Sequence, residues 1–208
     1  MSVADPIVYV VDDEASVRRA MARLFRSVGL DVLTFDSANQ FLEHPAADRP
    51  GCVVLDLEMP GLGGMELQQE LTERHVDLPV VFMTGYGDIP TTVQAMKQGA
   101  VDFLTKPVND KLLLETVQRA IDGHTRQRQQ LVEVNQFRQR TESLTPRERE
   151  VMLLVITGLL NKQIATRLGI TETTVKVHRG RVMQKTGVDS VAQLAMMCDR
   201  AGFDPTTQ

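Results

Sequence analysis

The sequence predicts a doubly wound α/β module, a (βα)5 parallel sheet, followed by a helical linker and an all-α, four-helix helix-turn-helix module. Three observations carry this reading. Over roughly the first 120 residues, short β-branched runs alternate with stretches of helical period. Two of those runs, CVVL and PVVFM, are apolar almost throughout, as strands covered on both faces are. After about residue 144 the strand period disappears, and short helices follow one another through turns that contain glycine.

The first strand is read at residues 6–11 (PIVYVV). Residues 15–28 repeat Val17, Met21, Leu24, Phe25 and Val28 at helical spacing, and Gly29 ends that helix as a C-cap. Further strands are read at Val32–Phe35, Cys52–Leu55, Val80–Met83 and Val101–Leu104, with helices at 37–43, 64–74, 90–98 and 110–122. Five strands alternating with five helices argue for a parallel sheet. Residues 124–143 hold neither glycine nor proline and are rich in Gln and Arg. They read as an exposed helix continuing the one before, with Leu131, Val134 and Phe137 as a thin apolar stripe. His124, Arg128 and Asn135 break the heptad, so no coiled coil is assigned.

In the last module, Thr145-Pro146-Arg147-Glu148 has the form of a capping box. Val151, Leu154, Val155 and Leu159 then share one helical face. Asn161 is read as the cap of a helix over 162–168 that stops at Gly169. Thr171 is read as the cap of another, 172–185, that stops at Gly187, and a last helix covers about 190–201. The expected organisation is a first domain over 1–123, a helical linker over 124–140 and a second domain over 141–208.

Of 208 residues, 42% are hydrophobic and 24% charged, a globular balance that excludes a disordered or fibrous chain. No apolar run approaches the roughly 18 residues that span a bilayer. MSVADPIVYVVDDE has no basic segment ahead of its apolar stretch, so no secretory signal is expected. Cys52 and Cys198 are too few for a disulfide framework or a zinc site and read as structural, in keeping with the cytoplasm. His44, His75 and His124 are read as surface residues without metal-ligand spacing. The net charge of −4 hides an asymmetry. From Leu144 onward there are nine Lys/Arg against six Asp/Glu, and before it 14 against 21. An acidic front and a basic back suggest modules with different partners.

In a doubly wound sheet, ligands sit beyond the carboxyl ends of the strands. Here those ends carry Asp12-Asp13-Glu14, Asp56-Leu57-Glu58, Thr84-Gly85-Tyr86 and Thr105-Lys106-Pro107. Any one of these groups could merely cap a helix or face solvent; together they describe a site. Crowded carboxylates repel and need a cation. Hard oxygen ligands with open positions suit Mg²⁺, which also binds phosphate oxygens. A Lys and a Thr hydroxyl facing the same point suit phosphoryl oxygens. The chemistry fits an Asp that accepts a phosphoryl group as an acyl phosphate.

These motifs (VVDDE, VLDLEMPG, MTGYGD and DFLTKP) resemble those of two-component response regulators. LTPREREVM, GLLNKQIA and TVKVHRGRVMQK resemble a DNA-binding domain of the LuxR/NarL type, and MTGYGD with SLTPREREVM is most like the FixJ subgroup. The resemblance covers about 1–123 and 141–204. It implies that Asp56 accepts phosphate from a sensor histidine kinase. It implies that Asp13 ligates Mg²⁺ directly and Asp12 through water, with the backbone carbonyl of Glu58 completing the protein ligands. Lys106, before a cis Pro107, would pair with the phosphoryl oxygen. Thr84 would move to hydrogen-bond it and Phe103 would turn inward, while Glu58 and Tyr86 would tune the lifetime of the acyl phosphate. The phosphorylated form would be a homodimer on double-stranded DNA, with RNA polymerase a further partner and no membrane involved. Catalysis would extend only to the protein's own phosphorylation and dephosphorylation.

The helix from Glu172 to Lys185 would be the recognition helix. Its outward face is read as Thr173, Lys176, Val177, Gly180 and Arg181, with Arg179 and Lys185 nearby, and Val175 and Met183 toward the core. By similarity Lys176 and Val177 would reach base edges, and Lys162 and His178 phosphates. Relatives often place a long polar residue where this chain has Gly180, which leaves the target sequence open. A rival class, the haloacid-dehalogenase-like phosphohydrolases, also uses Asp, Thr/Ser and Lys on an α/β sheet. It wants its nucleophile after strand one in a DxD pattern, where this chain has Asp12-Asp13-Glu14, and it leaves the helix-turn-helix unexplained. A receiver that works without phosphorylation is disfavoured, because Asp12, Asp13, Asp56, Thr84 and Lys106 are all present.

Overall fold

Strands β1 (Ile7–Val11), β2 (Asp31–Phe35), β3 (Gly51–Asp56), β4 (Val80–Thr84) and β5 (Asp102–Thr105) form one parallel sheet in the order β2-β1-β3-β4-β5. The computed structural model describes residues 5–44, 48–85 and 89–203. The chain divides into two units, the first ending at Arg128 and the second beginning at Gln129.

In the first unit the strands alternate with α1 (Ala15–Ser27), α2 (Ala38–Glu43), α3 (Gly64–Glu73), α4 (Ile89–Lys97) and the start of α5 (Asp110–Glu142). Period-2 alternation sends successive side chains of one strand into two cores. Ile7, Tyr9 and Val11 join Phe35, Phe41, Leu55, Leu67 and Phe82 on one face. Val8 and Val10 join Phe25, Val54, Met83, Leu113 and Val117 on the other. This is why β1, β3 and β4 are buried along their whole length and lack a polar stripe. The strand order reverses between β1 and β3, and the crevice at such a switch point is where doubly wound sheets bind ligands. Gly64 lets α3 start close beside it, since a Cβ there would lie 2.4 Å from the Asp56 carbonyl oxygen.

α5 is one helix from Asp110 to Glu142, so residues 124–142 continue the helix before them, as their lack of glycine and proline suggests. His124 is buried and not at the surface. Its Nδ1 lies 3.0 Å from the Gly51 amide nitrogen and 3.1 Å from the Gly51 carbonyl oxygen. Burial lowers its pKa against the opposing pull of the Gly51 hydrogen bond. One helical turn on, Gln127 donates to Asp77 at 2.7 Å and Arg128 pairs with Asp48. Val134 and Phe137 belong to the core of the second unit.

That unit adds α6 (Pro146–Ile156), α7 (Asn161–Leu168), α8 (Glu172–Thr186) and α9 (Val191–Arg200) around Val151, Met152, Ile164, Val175, Val182 and Leu194. The capping box at Thr145 is present: Thr145 Oγ1 accepts the Glu148 amide, and Glu148 Oε2 accepts the Thr145 amide at 2.9 Å. α7 starts one residue earlier than expected. Leu160 takes the N-cap position, with its amide satisfied by Gln163 Oε1 at 2.8 Å, which leaves the Asn161 side chain available to another helix. Gly169 ends α7 in the left-handed region at φ 66°, where a side chain would be strained. Both cysteines are buried, and burial pushes both thiols up. Among the described residues no helix is long and apolar enough to cross a membrane.

Candidate functional site

β1, β3, β4 and β5 deliver their C-terminal residues to the crevice at the switch point. Asp12 and Thr84 are fully buried there, and Asp56 nearly so. Lys106 Nζ lies 2.9 Å from Asp12 Oδ2 and 3.0 Å from Asp56 Oδ2, bridging the two carboxylates. The backbone of Lys106 is tied down as well, because its amide donates to the Thr84 carbonyl at 2.7 Å; the Lys106–Pro107 bond is cis. Asp12 Oδ1 accepts the Glu14 amide at 2.8 Å.

The electrostatics follow from this crowding. Burial, with the Asp12 charge as a smaller cause, holds the Asp56 pKa above its ordinary value. The Lys106 ammonium and the Glu58 amide pull the other way. Partial burial works against the Lys106 ammonium, but its hydrogen bonds to Asp12 and Asp56 outweigh it and the pKa is raised. Lys106 is therefore charged, and Asp56 sits beside a cation with limited access to water.

Carboxylate oxygens of Asp12, Asp13 and Asp56 all lie within 4.8 Å of one another. Three oxygen donors, one of them exposed to solvent, fit a hard divalent cation that keeps several waters. The exposed Glu58 follows two residues after Asp56, with its amide turned to the Asp56 carboxylate. Phe103 is half-buried, its ring 6.1 Å from that of Phe82. Tyr86 lies outside the described residues.

One residue that the sequence reading missed belongs to this end of the sheet. Arg18 Nη1 donates to the carbonyl of Asp12 at 2.6 Å and to that of Asp13 at 2.8 Å. No residue-type motif announces such a contact, because its acceptors are backbone. The available signal is spacing: Arg18 lies on the first turns of α1, and helical side chains lean back toward the N-terminus.

In the second unit, Thr173, Lys176, Val177, Gly180 and Arg181 are exposed along α8, spaced to share one face. Lys162, on α7, is exposed too. His178 and Arg179 are half-buried, and Arg179 Nη1 donates to Asn161 Oδ1 at 2.9 Å, tying α8 to α7. Lys185 Nζ lies 2.6 Å from Glu148 Oε2 and 3.0 Å from the Ser143 carbonyl, so its ammonium points back into the unit. Val175 is buried and Met183 packs against the core. The outer face of α8 thus joins two cations, a methyl-bearing hydroxyl, an isopropyl group and a bare backbone. These are groups that suit phosphates, base edges and a thymine methyl.

Residues 8–118 match the family of response regulator receiver domains, and residues 142–198 match the luxR family of bacterial regulatory proteins. The chain is 47% identical over 197 residues to nodulation protein W of Bradyrhizobium diazoefficiens, covering 95% of this chain and 87% of that one. It is 38% identical over 204 residues to the transcriptional regulatory protein FixJ of Rhizobium meliloti, covering 98% and 100%. Among solved structures, response regulator StyR matches with a TM-score of 0.79 and 48% identity, over 95% of this chain and all of that one. Full-length FixJ from B. japonicum matches with a TM-score of 0.58 and 40% identity, over 94% and 97%.

Proposed function

Because the chain belongs to the response regulators with a luxR-family DNA-binding domain, transcriptional regulators of two-component systems and not classical enzymes, we propose that Asp56 is its phosphoacceptor. The observation that carries this is the contact of Lys106 with Asp12 and Asp56 at the switch point. The donor is a phosphohistidine of a sensor kinase. An Asp56 carboxylate oxygen attacks phosphorus, the P–O bond forms, the P–N bond breaks, and the electron pair leaves with the imidazole. Lys106 is placed to move from the carboxylates to a phosphoryl oxygen, and Thr84 to donate its hydroxyl to another. Asp12, Asp13, Asp56 and the carbonyl of Glu58 would hold Mg²⁺. Once bound, the cation neutralises charge on the carboxylates and phosphoryl oxygens. The protein's chemistry is its own Mg²⁺-dependent phosphorylation and dephosphorylation. Phosphorylation then biases the surface around Phe103 toward a homodimer, Tyr86 and Glu58 tune how long the acyl phosphate lasts, and the dimer binds paired half-sites.

The test is intact mass and size exclusion after incubation with Mg²⁺ and acetyl phosphate. A gain of one phosphoryl group with a shift to dimer is expected. No gain from either acetyl phosphate or a phosphorylated kinase would sink the reading.

For DNA, we assign readout to Thr173, Lys176, Val177, Gly180 and Arg181, and phosphate contacts to Lys162 and His178. Arg179 and Lys185 hold α8 against its neighbours. The bound dimer would act on RNA polymerase, in the cytoplasm where the DNA is. Gly180 supports the proposed interface. Its φ is not in the left-handed region, and a Cβ there would meet no heavy atom within 4 Å. Nothing inside the fold requires glycine, although glycine in a helix interior costs about 1 kcal/mol against alanine. The requirement then lies in the groove that α8 enters. Gly180→Ala is expected to raise the Tm of the second unit by several degrees. The same change should weaken binding, roughly tenfold, to a duplex selected by the parent protein from a random pool. Equal binding by both proteins would remove Gly180 from the interface.

A further inference from the structure

Asp12 and Asp13 are adjacent in sequence but differently supported. Asp12 is held at both carboxylate oxygens, by the Glu14 amide and by Lys106. The Asp13 carboxylate is exposed and has no partner among the described residues. A cation ligand without lateral support depends on its backbone for its position. That backbone is held by Arg18, which donates from one nitrogen to the carbonyls of both acids, at 2.6 and 2.8 Å. Glu14, the N-cap of α1, makes no side-chain cap bond, and no acid lies in the first turn. The Arg18 guanidinium is thus the side chain that fastens the acidic loop to the helix following it.

We infer that Arg18 is a positioning residue of the acidic site: by clamping the carbonyls of Asp12 and Asp13 it fixes the Asp13 carboxylate for Mg²⁺. This rests on the Mg²⁺ reading given above. The inference has a sign that sets it apart from simple electrostatics. As a positive charge near three carboxylates, Arg18 opposes a second cation, and its removal would tighten Mg²⁺ binding. As a clamp it organises a ligand, and its removal weakens Mg²⁺ binding, as loss of a group supporting a metal ligand does.

Calorimetric titration of the metal-free full-length protein with MgCl₂ separates the two. Arg18→Ala is expected to weaken Mg²⁺ roughly tenfold. Its circular dichroism and Tm should stay close to the parent's. Arg19→Ala removes the same charge from an exposed neighbour whose side chain makes no hydrogen bond or ion pair among the described residues, and it should not weaken binding. Arg18→Lys, which keeps donors on a flexible stem, should fall between parent and Arg18→Ala. An Arg18→Ala protein that binds Mg²⁺ as tightly as the parent, or more tightly, overturns the inference. If Arg18→Ala does not fold, Arg18→Met, which keeps the apolar stem without donors, decides in the same way. A parent that binds no Mg²⁺ overturns the metal reading itself, and the inference falls with it.

Discussion

Asp56→Asn is expected to abolish phosphoryl uptake while leaving the first unit folded and at least as stable as the parent. The amide that replaces the carboxylate is not a nucleophile toward phosphorus, so the mass gain from acetyl phosphate and Mg²⁺ should vanish. Stability should not suffer, because the ionised side chain is strained where it sits. It is buried, faces the Asp12 carboxylate, and has a raised pKa. A carboxyl with a raised pKa is worse off ionised in the folded chain than in the unfolded one. Asn keeps the shape and an oxygen for Lys106, while Lys106 keeps Asp12 as its charged partner. Thermal unfolding without Mg²⁺ should show an equal or higher Tm. A mass gain that survives the substitution would move the chemistry to Asp12 or Asp13. A protein that unfolds would mean that the Lys106–Asp56 pair is structural.

The second unit depends on a different carboxylate. Glu148→Ala is expected to destabilise it by about 3 kcal/mol, in line with removing one partner of a buried ion pair. Glu148 is 2% exposed. It accepts from Lys185 at 2.6 Å and from the Thr145 amide at 2.9 Å, so its loss removes half a capping box and the link from α6 to α8. The Lys185 hydrogen bond first, then the Thr145 amide, lower its pKa from 4.5 to about 2. A depressed pKa in the folded state gives stability that is present above the unfolded pKa and lost as pH falls through the folded one. The share of stability that Glu148 contributes should therefore be lost in the parent as pH falls from 4.5 toward 2. Glu148→Gln keeps an oxygen for the Thr145 amide and should lose about half as much as alanine at neutral pH. It should also lack the acid-dependent decline. Urea unfolding monitored on the helical signal measures both. A neutral-pH change below roughly 0.5 kcal/mol for alanine would show that the pair contributes little, as exposed pairs do.

The central strands β1, β3 and β4 were legible because both of their faces are covered, so apolar runs and strand boundaries nearly coincide. The acidic site was legible because each of its groups follows a strand, and the topology then brings strand ends together. What escaped reading involves backbone acceptors or a shift of one helical position. Arg18 holds carbonyls, which leave no mark on residue type. His124 continues the buried positions Leu113, Val117, Ala120 and Ile121 at helical spacing, but its polarity suggested a surface. Asn161 looked like a cap, yet Gln163 satisfies the preceding amide and Asn161 serves Arg179 instead. Lys185 was read with the outward cations of α8. It lies next to the buried Thr186 and three positions from buried Val182, and there it meets Glu148.

The His124–Gly51 contact bears on where the chain can be cut. Gly51 opens β3, and a Cβ on it would lie 2.8 Å from the Ile7 carbonyl oxygen, so that corner admits no other residue without rearrangement. A fragment stopped at Gly123, where the sequence pattern suggests an end, would lose the imidazole that meets the Gly51 backbone. It would also lose the ties of Gln127 to Asp77 and Arg128 to Asp48. A fragment of the first unit that keeps these ties is therefore expected to need the chain through Arg128, one and a half helical turns past the last residue that looks like domain.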